Sequence, residues 1–151
     1  MSANVVLETN FPGNAVRRGK VRDVYDLGDK LLFVASDRIS AFDVVMPNGI
    51  PCKGEVLTRI SEFWFSRMKG VDHHLIEVVE DRAPAGFEDY LDQLRGRAML
   101  VRKLKVIPIE CVARGYLAGS GWKEYQQSQT VCGQPLPRGL RQCDRLPQPI
   151  V

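Results

Sequence analysis

Glu110 and Arg114 stand on an apolar run, Val106-Ile-Pro-Ile-Glu-Cys-Val-Ala-Arg114, which opens into Ala118-Gly119-Ser120-Gly121 and a helix-forming stretch from Trp122 to Gln127. If the run is a regular strand, their even spacing puts both charged side chains on one face. Charges on such a strand need each other or a polar ligand, because an isolated buried charge is costly. The sharper chemistry is oxyanion binding. Small residues let a phosphate reach backbone N–H groups, Ser120 adds a hydroxyl, and Arg114 adds a planar two-pronged donor. The plainer alternative is a Glu110–Arg114 ion pair beside an ordinary glycine turn.

A second cationic cluster lies near the start, in Gly19-Lys-Val-Arg-Asp-Val-Tyr25. On a regular strand Lys20 and Arg22 share a face and can lean over one phosphate, while Gly19 permits close backbone approach. A solvated basic edge strand is the competing reading. Asp37-Arg-Ile-Ser-Ala-Phe-Asp43 interrupts the strand pattern with charges and a serine and reads as a loop. Its aspartates suit substrate hydroxyls, amines or metal-bound water, or else they cap backbone N–H groups. Lys103, at the end of an apolar strand, either reaches an anionic ligand or snorkels to solvent.

The elements that must carry these residues follow from pattern. Ala15 to Asp26 and Leu31 to Ala35 read as two strands of a hairpin, with Gly28 and Asp29 in the turn. Val44 to Met46 resumes a strand. Lys53 to Lys69 is a helix whose stripe of Leu57, Ile60, Trp64 and Met68 is expected in the core, with Gly70 at its end. Leu75 to Val79 and Ala98 to Leu104 read as strands, and Phe87 to Leu94 as a short acidic helix. After Thr130 the chain turns to hairpin or loop chemistry, with Pro135, Pro137, Pro147 and Pro149.

Composition bounds the class. With 151 residues, 44% hydrophobic and 26% charged, the chain suits one domain or two small lobes, and disorder is not expected. The net charge of +3 is too small for a nucleic-acid coat, and its cations lack interleaved exposed aromatics. No apolar run reaches the roughly 18 residues of a membrane span, and the first residues lack a signal-peptide pattern, so a cytoplasmic location is expected. Cys52, Cys111, Cys132 and Cys143 form no metal-type pair and are expected reduced; His73 and His74 would point to opposite faces of a strand, so no metal site is expected in this chain.

Two ordered segments resemble the SAICAR synthetase family of purine biosynthesis. One is the run of two aliphatics, Pro108, an aliphatic, Glu110, Cys111, two apolar positions, Arg114, three residues, Ala118, Gly119 and Ser120; the other is Gly19 to Tyr25 followed by Ser36 to Asp43. The resemblance implies ligation of L-aspartate to the carboxylate of CAIR, the carboxylated aminoimidazole ribonucleotide, with ATP and Mg2+. It implies nucleotide contacts at Gly19, Lys20, Arg22 and Lys103, and substrate contacts at Asp37, Ser40, Asp43, Glu110, Arg114 and Ser120, with Lys20 and Arg114 in catalytic roles.

It further implies an α+β fold: an antiparallel sheet with a packing helix, an ATP-grasp-like small lobe covering ATP over residues 1–107, and the start of a second lobe over 108–151. Family members run to roughly twice this length, in keeping with more than one lobe. The magnesium ligands are expected in the missing half. A catalytically inactive ATP- or phosphate-binding module is the alternative function.

Overall fold

Gly28 adopts a positive φ of 90° in the turn between two apolar runs, and Asp26 accepts its N–H at 2.9 Å, which is how the β2–β3 hairpin (Arg22–Asp26 and Lys30–Ala35) closes. The computed structural model describes residues 5–42 and 44–151. Asp43, expected at the substrate, lies outside the described residues. The chain divides into two units, Met1–Lys105 and Val106–Val151.

The first unit is built on a five-stranded sheet, ordered β1 (Val16–Arg18), β2, β3, β7 (Ala98–Arg102) and β6 (Leu75–Val78), with every neighbouring pair antiparallel. The class is α+β. Period-two alternation sorts the side chains: Tyr25 pairs with Leu32 and Val34 with Ala98 on one face. There they pack with Phe11, Val79, Phe87 and Leu94 in a buried core. Arg22, Val24, Phe33, Ala35 and Met99 occupy the opposite face. The segment Glu88–Tyr90 forms a single 3-10 turn and runs into the short helix α2 (Leu91–Leu94).

Helix α1 (Lys53–Arg67) lies on that opposite face. A Cβ at Gly54 would come within 2.1 Å of the Ala35 carbonyl oxygen, so glycine lets the helix seat against β3. Thr58 is buried and its hydroxyl donates to the Arg97 carbonyl at 3.1 Å. The expected core stripe is not core: Ile60 is 48% and Trp64 59% exposed, and Leu57 and Met68 are exposed as well. The helix meets the sheet through its small residues instead, and periodicity located a stripe without saying what covers it.

Three further expectations change. Ala15 to Asp26 is not one strand but β1 and β2, reversed at Gly19–Val21, where the Gly19 N–H donates to the Arg22 carbonyl at 2.7 Å. The loop at 37–43 contains β4 (Arg38–Ala41), which pairs with β5 (Val44–Gly49) as a separate two-stranded sheet. In the second unit residues 106–113 form no strand and are exposed; only β8 (Arg114–Tyr116) does, paired with β11 (Arg145–Ile150). A strand needs a partner, and the apolar run has none among the described residues.

The second unit also holds α3 (Gly119–Ser128) and the hairpin β9 (Thr130–Val131) and β10 (Gln134–Pro135). Leu117, Tyr125, Val131 and Leu146 form its small core, and the Tyr125 hydroxyl donates to the Pro137 carbonyl at 2.7 Å. All four cysteines are free thiols. Among the described residues no helix is long and apolar enough to cross a membrane.

Candidate functional site

The open part of the sheet face beside α1 is a cavity of about 430 Å³ lined by Arg17, Gly19, Lys20, Val21, Arg22, Val24 and Phe33. The cations come from the β1–β2 turn and its flanks, and the apolar floor comes from β2 and β3. The Arg22 guanidinium lies 5.6 Å from the Phe33 ring centroid, in cation–π geometry. Such a cavity suits a flat apolar group carrying several negative charges. A smaller cavity of about 210 Å³ continues toward α1 between Val21, Ala35, Met99 and Thr58. Sequence reasoning found Gly19, Lys20 and Arg22 but missed Arg17, Val24 and Phe33, which the registers of β1 on β2 and of β2 on β3 bring alongside them.

The turn is held from beneath by buried groups. Arg38 donates through Nε to the Lys20 carbonyl at 3.1 Å, and through one terminal nitrogen to the Gly19 carbonyl at 2.9 Å and to the Asp23 carboxylate at 2.8 Å. Its other terminal nitrogen donates to the Leu7 carbonyl. Ser36 donates to the Val21 carbonyl through its N–H at 3.1 Å and its hydroxyl at 2.9 Å. The second oxygen of Asp23 accepts both the N–H and the hydroxyl of Thr9 at 2.8 Å.

Asp37 corrects an expectation. Its side chain is fully buried, and its carboxylate accepts the N–H groups of Val6 at 2.8 Å and Gly54 at 2.9 Å and the Arg97 guanidinium at 3.1 Å. Burial pushes its carboxyl pKa up, but those two backbone donors and Arg97 together outweigh burial and hold it below the ordinary 3.8. With both oxygens engaged it anchors the first turn of α1 rather than facing a substrate. Ser40 sits half-buried on β4, away from the cavity lining.

Lys103 lies at the β2–β3 hairpin, where its ammonium pairs with Asp26 at 2.5 Å and its N–H donates to the Asp29 carbonyl at 3.0 Å. That ammonium, followed by the Gly28 N–H, holds the Asp26 carboxyl below 3.8. His73 and His74 do not point apart: both rings lie against Phe65, with centroids 4.7 and 5.3 Å away. Burial, then the neighbouring His73 and Arg22 charges, keep His74 below its usual 6.5.

In the second unit Arg114 reaches forward over the start of α3, donating to the Ser120 hydroxyl at 2.9 Å and the Ala118 carbonyl at 3.4 Å. Gly121 lies beneath the Arg114 side chain, where a Cβ would sit in ordinary contact at 3.4 Å. A two-pronged cation, a hydroxyl and the unpaired N–H groups of a helix start therefore meet at one place, a geometry that suits an oxyanion. Glu110 is exposed on the irregular run, and no ion pair joins it to Arg114 among the described residues.

The fold is that of an α+β protein, and it carries two cationic sites whose geometry suits anionic groups. The family model of SAICAR synthetase matches residues 15–151. The phosphoribosylaminoimidazole-succinocarboxamide synthases of Syntrophotalea carbinolica and Desulfosudis oleivorans are each 60% identical over 148 residues, covering 97% of this chain and 50% of theirs. A solved SAICAR-synthase from Saccharomyces cerevisiae, complexed with SAICAR, superposes with a TM-score of 0.87 at 44% identity, over 96% of this chain and 52% of that one. A type-2 SAICAR synthetase in complex with ADP matches at 27% identity with a TM-score of 0.64, over 90% of this chain and 48% of that one. The chain belongs to the SAICAR synthetase family, and it spans about half the length of the relatives it matches.

Proposed function

We propose that this chain supplies the amino-terminal half of a cytoplasmic ligase that joins L-aspartate to the carboxylate of CAIR, giving SAICAR, ADP and phosphate. The observation that carries this reading is the cavity over Val24 and Phe33 rimmed by Arg17, Lys20 and Arg22, in a chain of this family. Residues 1–107 form the lobe that covers ATP, of ATP-grasp type, and 108–151 begin the second lobe.

A carboxylate is a poor acylating agent. In the reaction a CAIR carboxylate oxygen attacks the γ-phosphorus of ATP, the bond to the β,γ-bridging oxygen breaks, and ADP leaves. The aspartate amine then attacks the acyl carbon, inorganic phosphate departs, and the nitrogen loses a proton. Both steps crowd negative charge, and Lys20 and Arg22 offset it where the phosphoryl group moves. Arg114 and Ser120 hold the ribonucleotide phosphate and so fix the reacting carboxylate. Glu110, Ser40 and Asp43 remain candidate substrate contacts, and Lys103 reaches the nucleotide only by leaving Asp26.

Magnesium assists such transfers by neutralising phosphate charge. Among the described residues no group of three or more His, Cys, Asp or Glu side chains converges, so no ligand is assigned here. On this reading the metal ligands come from the other half of the family's length. A second reading takes the 151-residue chain by itself as a module that binds ATP or phosphate without turnover.

The test is ADP release requiring both CAIR and L-aspartate. It compares the 151-residue chain with a version extended by the carboxy-terminal half of the Syntrophotalea carbinolica relative. Activity in the extended form alone is expected. Failure of both forms, with ADP still bound by the short chain, leaves the binding module.

A further inference from the structure

In the run Ser36-Asp37-Arg38 the middle side chain goes to the start of α1, and the outer two converge on the backbone of the cavity's turn. The carbonyls of Gly19, Lys20 and Val21 are consecutive, and each accepts from Arg38 or Ser36. Both donors are buried, at 7% and 1% exposure, and neither lines the cavity. All three carbonyl oxygens therefore point into the protein, and none of the three presents its partial negative charge to an anion above the turn.

We infer that Arg38, assisted by Ser36, is a positioning residue that clamps the Gly19–Val21 turn in the form an anionic ligand can approach. This deepens the proposed function and rests on its nucleotide reading. A buried arginine–aspartate pair is by itself weak evidence of stabilisation, because apolar replacements often do as well. What an apolar pair cannot do is orient three carbonyls. Arginine's rigid fork spans the acceptors of Gly19, Lys20 and Asp23 at once, whereas a lysine ammonium on a flexible stem cannot hold that arrangement. Asp23 and the carbonyls of Leu7, Gly19 and Lys20 are the groups that face the guanidinium.

Amide exchange and ADP binding by the 151-residue chain test this in Arg38→Lys and in the milder Ser36→Ala, which keeps the backbone bond to Val21. The reporters are the Gly19 and Ser36 position amides, whose bonds close the turn, against the ladder amides of β3 and β7. Arg38→Lys is expected to speed exchange at the reporters and weaken ADP each by about tenfold, and Ser36→Ala by about threefold, for the loss of bonds of this kind, with the ladder amides changed less than about twofold. Should Arg38→Lys fail to fold, Ser36→Ala decides. Uniform acceleration across the sheet makes the residues ordinary core and overturns the clamp, as does a loosened turn with unchanged ADP affinity. If the unsubstituted chain binds no ADP the nucleotide reading falls, and the exchange arm alone decides whether the turn is clamped.

Discussion

The two cationic sites are held in opposite ways. The Gly19–Arg22 turn depends on Arg38 of β4 and on Ser36 between β3 and β4, which reach it from downstream, while Asp23 of β2 pairs with the Arg38 guanidinium. The Arg114 site is made by its own neighbourhood, since Ser120 and Ala118 lie a few residues along the same chain and the guanidinium is half-exposed. The first site therefore shares the fate of its whole unit, whereas the second needs only a strand end and a helix start. Local contacts fix an arrangement cheaply, but long-range buried bonds fix it rigidly.

The contrast is broken most sharply at Asp37. Asp37→Ala leaves buried Arg97 with Glu55 as its ion partner and the Ala35 carbonyl and strips the N–H groups of Gly54 and Val6 of their acceptor. A loss of about 3–5 kcal/mol is expected in urea denaturation. With Trp122 changed to phenylalanine, Trp64 of α1 reports the first unit; an unchanged midpoint would show that the anchor is dispensable. The pH dependence follows from the lowered pKa of Asp37. The stability it contributes is full above the unfolded carboxyl value and drains away as pH falls through the still lower folded value. Asp37→Asn is therefore expected to show a shallower decline below pH 3.8 than the native chain.

A smaller effect is expected in the second unit. The Tyr125 hydroxyl donates to Pro137 and accepts the Leu140 N–H at 3.2 Å. Tyr125→Phe should cost about 1–2 kcal/mol, read from Trp122 fluorescence in a Trp64→Phe background. The smallest change in stability is expected for Arg114→Lys, about 0.5 kcal/mol or less at a half-exposed side chain. Its inorganic phosphate affinity should nevertheless fall several-fold as the planar fork is lost. Equal affinity would take phosphate out of that site.

What could be seen in the chain beforehand divides along the same line. The β2–β3 hairpin, helix α1 and strand β7 rest on local pattern, and they stand where pattern put them. The reversal at Gly19 could not be seen, because its carbonyl partners lie well downstream and nothing nearby announces them. Asp37 was visible as a chemically capable residue, but the backbone donors that occupy it are visible only in three dimensions. The stripe on α1 and the run at 106–113 carried the right apolar signal. A sequence pattern says which residues seek cover, and their exposure shows that cover is not supplied by the segments described.

Asp37 bonds to residues 31 positions before it and to partners 17 and 60 positions after it. No local fragment can satisfy that carboxylate, and each partner requires a long loop to close first. On a ribosome the aspartate waits until Arg97 has emerged. The native seating of α1 is thus completed only when strand β7 is ready to join the sheet.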